Sequence, residues 1–95
     1  MTPNFNYNGF DIPVDLLNMT GGGTDTFEQI SKGHVNWLNE HVGINSSDNV
    51  LEIGCGIGRD AIPLTQILQN NGTYLGIDII GRSIEWCSNN ITPQY

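Results

Sequence analysis

Apolar residues fall along this chain in two contrasting rhythms. A helical period occupies the second quarter, and two short continuous runs separated by glycine-rich turns occupy the second half. In the helical stretch Phe27, Ile30, His34, Trp37, Leu38 and His41 recur at three- and four-residue intervals, which predicts a helix with one apolar face. Asp25 or Thr24 is placed to cap it, and Glu28 stands three residues beyond Asp25, the capping-box spacing. Gly33 interrupts the run at a cost near ~1 kcal/mol relative to Ala. His34 and His41 lie two turns apart, too far for two-point chelation from one helix, so both read as core or boundary residues.

After a polar loop over 43–48, residues 49–53 form an apolar run, as expected for a parallel strand covered on both faces. A helix is predicted over 60–70, burying Ile62, Leu64, Ile67 and Leu68, with Pro63 in its first turn where the missing N–H is tolerated. Asn71-Gly72 closes it with the left-handed position that glycine favours. A second strand follows over 73–79, and a further helix starts near Arg82 or Ser83, with Ile84 and Cys87 sharing a face and Trp86 in the core. Strand, helix, strand and helix in this order predict a right-handed β-α-β unit.

The first 24 residues read differently. They are rich in Asn, Pro and Gly, with a short apolar cluster over 12–17 suited to one helical turn and a flexible loop at Thr20-Gly21-Gly22-Gly23-Thr24. Two readings of this segment stand side by side: a hinge before a domain spanning 25–95, or a lid over whatever that domain binds.

Chemistry concentrates where the two strands end. Val50-Leu51-Glu52-Ile53-Gly54-Cys55-Gly56-Ile57-Gly58 joins a strand to a carboxylate and a three-glycine loop. Glycines let the chain turn through positive φ and bring bare backbone against a ligand. About twenty residues past Gly58, Asp78 ends the second strand, where a carboxylate can accept from ribose hydroxyls. The dinucleotide pattern G-x-G-x-x-G fails at its third glycine, which falls on Arg59. Glu52 would also repel a pyrophosphate, so the electrostatics lean away from phosphate and toward a ligand with an amino-acid end. Arg59 faces either the ligand carboxylate or water.

Acid-x-Gly-x-Gly-x-Gly is motif I of the class I S-adenosylmethionine-dependent methyltransferases, and residues 52–58 match it at every fixed position. The chain resembles that family over roughly 27–91, most specifically over 49–80. The resemblance implies an α/β fold with a Rossmann-like doubly wound parallel sheet, of which this chain reaches two strands and the helix after the second. It implies S-adenosylmethionine as cofactor, with Gly54, Cys55, Gly56 and Gly58 lining its methionine end. Glu52 would reach its amino group, Asp78 the ribose hydroxyls and Ile79 the adenine. It implies methyl transfer to a small-molecule acceptor, with the acceptor site and any catalytic base carried elsewhere. On this basis the chain is expected to be the N-terminal part of a longer methyltransferase, inactive by itself and prone to self-association through an open sheet edge. Two other classes stand beside it: a nucleotide- or dinucleotide-binding oxidoreductase half, and a non-catalytic fragment.

Composition narrows the partners. Three Lys/Arg against ten Asp/Glu give a net charge of −7, with no basic patch to attract nucleic acid. Neither a signal peptide nor a membrane-length apolar run is present, so the cytoplasm is the expected compartment. Cys55 and Cys87 lie far apart, a spacing that indicates neither a zinc site nor a redox pair and suits reduced thiols.

Overall fold

The computed structural model of the 95-residue chain describes residues 3–69 and 71–92. Two antiparallel strands open it, β1 (Asn4–Tyr7) and β2 (Phe10–Pro13), followed by helix α1 (Val14–Leu17) and a 3₁₀ turn at Asn18–Thr20. Then come α2 (Phe27–His41), β3 (Asn49–Ile53), α3 (Ala61–Leu64), β4 (Thr73–Ile77) and α4 (Gly81–Asn90). Strands β3 and β4 pair in parallel, with Asn49 opposite Thr73 and Ile53 opposite Ile77. The architecture is α/β, and among the described residues the parallel sheet has two strands.

The N-terminal segment holds more regular structure than its composition suggests. Asn8 and Gly9 both take positive φ, 51° and 85°, the backbone of a two-residue hairpin turn whose twist matches the flanking strands. The pairing brings Tyr7, Phe10 and Ile12 inward, and α1 adds Leu16 and Leu17. These five residues join Phe27, Ile57, Ile62 and Ile91 in the main buried cluster, so the segment read as a hinge or a lid supplies over half of that cluster. Phe27 packs edge-to-face with Phe5 and Tyr7 at centroid distances of 5.9 and 5.7 Å, and Trp86 packs against Phe10 at the core boundary.

Helix α2 presents a face rotated from the predicted one. Phe27, Ser31 and Val35 are its buried residues, a strict four-residue seam, while His34, Trp37 and His41 are exposed. Buried Ser31 is satisfied from both sides: its hydroxyl donates to the Arg59 carbonyl at 2.5 Å and lies 3.0 Å from the Tyr7 hydroxyl. Trp37 stacks on His41 instead, at 4.7 Å. The capping box does not form. The helix begins after Thr26, the Phe27 N–H donates to the Gly23 carbonyl at 3.0 Å, and Glu28 pairs with Lys32 at 2.8 Å.

The crossover helix is shorter than predicted. After Leu64 the bonding tightens to three-residue steps, Gln66 N–H to the Pro63 carbonyl and Ile67 N–H to that of Leu64, before Leu68 N–H returns to the Leu64 carbonyl. The Thr65 hydroxyl donates to the Ile62 carbonyl at 2.6 Å, and Pro63 contributes no N–H, which together favour the tighter turn. Asn70, the predicted end of this helix, lies outside the described residues. Gly72 does not take the left-handed conformation. Its requirement is space, since a Cβ there would stand 2.3 Å from the Ser46 carbonyl oxygen.

Among the described residues, strands β3 and β4 are covered on one face only. Val50, Glu52, Tyr74 and Gly76 are half-buried against the rest of the fold, whereas Leu51, Ile53, Leu75 and Ile77 are exposed on the other face. The expectation of a strand buried on both sides is corrected accordingly. Ile79, just beyond β4, is fully exposed and extends this apolar surface.

Candidate functional site

The site forms where the loops leaving β3 and β4 cross. Ile77, at the end of β4, accepts from the N–H groups of both Gly54 and Cys55, at 2.7 and 3.1 Å. Asp78 then splits its carboxylate between two loops: Oδ2 accepts from the Gly56 N–H and Oδ1 from the Ile80 N–H, each at 2.8 Å. One side chain thereby fastens the glycine loop to the residue just ahead of α4. Asp78 is both the predicted end-of-strand acid and a structural staple, and its oxygens keep lone pairs for further donors.

Gly54, Gly56 and Gly58 all take positive φ, at 80°, 55° and 91°. Their destinations differ. Gly54, Cys55 and Gly56 line a cavity of about 140 Å³ together with Met19, Thr20, Glu52, Arg59, Asp60 and Asp78. Gly58 lies away from this lining, buried where an added Cβ would meet the Ile91 side chain at 2.6 Å and Cys87 Sγ at 3.7 Å, so it makes room for α4 and the residue after it. The loop offers fewer free donors than its glycines suggest, because the N–H groups of Gly54, Cys55, Gly56 and Gly58 all donate within the protein. Helix α3, with four residues, adds no long dipole behind the loop. What the cavity presents is mainly acceptors.

Three carboxyl groups, Glu52, Asp60 and Asp78, share this cavity with one guanidinium, Arg59. Arg59 Nη1 donates to the Thr20 carbonyl at 2.8 Å, drawing the 3₁₀ turn to the cavity rim, and its buried Nε has no partner among the described residues. Glu52 Oε1 accepts from the Tyr74 hydroxyl at 2.5 Å. Burial, with a smaller effect from neighbouring Asp60, pushes the Glu52 carboxyl up to about 7. The Tyr74 phenol is pushed upward by burial and by Glu52, so it stays a donor. Both thiols are also raised by burial, Cys87 to about 12, which leaves them protonated and unreactive. Cys87 Sγ rests 3.5 Å from the Gly56 carbonyl oxygen.

A second, apolar cavity of about 280 Å³ adjoins the first and shares Gly54 and Asp78 with it. Its other walls are Ile53, Ile77 and Ile79. The predicted residues Glu52, Gly54, Cys55, Gly56, Asp78 and Ile79 therefore line two hollows that share Gly54 and Asp78, and Gly58 is the one that does not. Asp60, Met19 and Thr20 are additions that motif reading missed. Asp60 follows the glycine loop closely enough to have been weighed as a site residue, whereas Met19 and Thr20 arrive only through the fold of the N-terminal segment.

The site thus combines a parallel β3–β4 pair, an acid-flanked glycine loop and an acid at the end of the second strand. The family model described as a methyltransferase domain matches residues 44–94, more than half of the chain. The chain belongs to this methyltransferase domain family. No solved structure matches it. Among the described residues no helix is long and apolar enough to cross a membrane.

Proposed function

We propose that this chain binds S-adenosylmethionine and belongs to an enzyme that transfers its methyl group to a small-molecule acceptor. The observation that carries this reading is the pair of adjoining cavities, one acidic and one apolar, that meet at Gly54 and Asp78. A ligand with a cationic polar end, a central sugar and a flat apolar end matches that sequence of environments. Asp78 stands at the junction with acceptor capacity for sugar hydroxyls. Ile53, Ile77 and Ile79 offer an apolar wall for a base, and Glu52 and Asp60 face the cationic end.

The bound cofactor supplies an activated sulfonium methyl, so the chain need contribute no nucleophile. Its residues bind and orient, and holding reactants in line is a large source of rate enhancement in such transfers. Among the described residues, Arg59, whose Nε has no partner, is the cation lining the cavity and offers a group for a ligand carboxylate. No side chain of the site is assigned as a base toward the acceptor. A dinucleotide-binding oxidoreductase fits less well, because a pyrophosphate would face three carboxyl groups with most loop donors already engaged.

Isothermal titration with S-adenosylhomocysteine tests the reading, using Asp78→Ala against the parent and NAD as the competing ligand. Loss of hydrogen bonds to the charged carboxylate is worth about 1.5–3 kcal/mol, an affinity loss of roughly ten- to a hundredfold. An unchanged Kd in the variant, or binding of NAD in preference to S-adenosylhomocysteine, would overturn it.

A further inference from the structure

Helix α2 carries chemistry that cofactor binding leaves unused. His34 Nδ1 lies 2.9 Å from Asp60 Oδ1. A carboxylate accepts and does not donate, so this contact places a proton on Nδ1 and leaves Nε2 as an acceptor. Two features show that the pairing is built into the fold. Buried Ser31, one turn before His34, is fastened to the Arg59 carbonyl, so successive turns of α2 meet consecutive residues of the loop. Asp60 also stands at the N-cap of α3, where an aspartate ordinarily bonds the first free N–H groups, yet its side chain makes no cap bond. It meets the imidazole instead, and a local preference given up in this way is characteristic of functional sites.

Beside the pair lies a hollow of about 220 Å³ walled by His34, Trp37, Leu38 and Asp60. Asp60 lines both this hollow and the acidic cavity. With the flat end of the cofactor in the apolar cavity, the hollow at Asp60 stays open to a second reactant. Its walls suit a particular chemistry. The exposed Trp37 indole and the Leu38 side chain offer a surface for a flat apolar body, and Nε2 of His34 can take one acidic hydrogen. His41 stacks on the indole at 4.7 Å and limits its rotation.

We propose that this hollow is the methyl-acceptor site, that it takes a small phenol, and that His34 removes the phenolic proton while Asp60 positions the imidazole. The inference rests on the methyltransferase reading of the acidic cavity. The phenolic proton passes to Nε2, the freed oxygen pair forms the bond to the methyl carbon, and the pair of the broken carbon–sulfur bond stays on sulfur.

The probe is 4-nitrophenol, whose phenolate absorbs in the visible. Slightly below neutral pH the free dye is mostly the neutral phenol, and the carboxyl groups of a chain with net charge −7 push a bound dye further that way. Binding at His34 should instead raise the phenolate fraction. His34→Asn keeps an amide N–H for Asp60 and lacks Nε2, so the rise should vanish and the dye Kd should weaken about tenfold. Trp37→Ala should weaken it about three- to tenfold while the bound dye still ionises. With S-adenosylhomocysteine also bound, nuclear Overhauser contacts should join the dye ring to the homocysteine methylenes. The ¹⁵N shifts of His34 in the free chain test Asp60 by itself: Nδ1–H in the parent, and the Nε2–H form usual in water in Asp60→Ala. A merely structural Asp60 would leave the tautomer unchanged, which would overturn its positioning role. Dye that does not bind, or that ionises no more in the parent than in His34→Asn, overturns the proposal, while S-adenosylhomocysteine binding keeps the cofactor reading standing. Both ligands bound without Overhauser contact overturns the acceptor role alone. Ionised dye with no S-adenosylhomocysteine binding overturns the acceptor role and the cofactor reading together.

Discussion

Gly76→Ala places one methyl group in the most crowded part of the site, and its cost can be worked from the contacts. Gly76 sits in β4 opposite Glu52, on the half-buried face of the parallel pair. A Cβ there would lie 2.7 Å from the Tyr74 hydroxyl, 2.8 Å from Cys55 Sγ and 2.9 Å from Cys55 Cβ. None of the three can retreat freely. Tyr74 is bonded to Glu52 at 2.5 Å, and Cys55 is held through its N–H to the Ile77 carbonyl at 3.1 Å. Overpacking of this kind costs about 1–3 kcal/mol, and replacing a strand glycine with Ala returns about 0.5–1 kcal/mol of backbone entropy. The φ of Gly76 is not in the left-handed region, so no conformational strain is added. The net expectation is a loss of about 1–2 kcal/mol, read as a lower urea midpoint at constant m-value and a Tm lower by about 4–8 °C per kcal/mol. Adding Cys55→Ala removes the Sγ contact and should recover at least ~0.5 kcal/mol beyond additivity. A Gly76→Ala protein as stable as the parent, or strict additivity in the double variant, would refute the argument that this glycine exists to seat Cys55.

The parts of this molecule that were legible in its sequence are those whose cause is local. The apolar run of β3 and the glycine loop appear where adjacent residues dictate them, and Asp78 occupies the strand end that its spacing indicates. The Asn8-Gly9 hairpin was equally local, a two-residue turn between Tyr7 and Phe10, but a segment rich in Asn, Pro and Gly was not read for strands. Ser31 could not be placed this way. A hydroxyl on the buried seam of α2 is tolerated only because Tyr7 and the Arg59 carbonyl, 24 and 28 residues distant in sequence, supply its hydrogen bonds. With those partners invisible, periodicity awarded the inner face to Trp37 and His34, residues that pack on the surface. Asp60 was hidden for the same kind of reason. It joins Glu52 in lining one cavity only once the loop is folded, and no spacing rule links the two.

Two further outcomes follow from the sheet and from Glu52. Leu51 and Leu75 face each other on the exposed side of the parallel pair, part of an apolar surface of a kind that drives association. Leu51→Lys with Leu75→Glu should lower concentration-dependent self-association in sedimentation velocity with the circular dichroism unchanged, and equal association in the variant would show that another surface is responsible. Glu52 makes the pH dependence of stability a sharper test, because its direction is the reverse of the usual carboxylate. Its carboxyl rises from an ordinary 4.5 to about 7 on folding, so the fold favours the protonated form. That contribution is complete below about pH 4.5 and is lost as pH rises through 7. Because the group is only half-buried, solvent screening reduces the effect to about 1 kcal/mol. Asp15 acts in the opposite sense but outside this window: Arg82 holds its carboxyl below 3.8. Glu52→Gln keeps an oxygen for the Tyr74 hydroxyl and has no proton to lose. Urea midpoints taken from pH 5 to pH 8 should therefore fall in the parent relative to the variant by the equivalent of about 1 kcal/mol. Parallel profiles would mean that Glu52 is already ionised in the folded chain, and that the charge of this cavity is balanced by Arg59 and solvent.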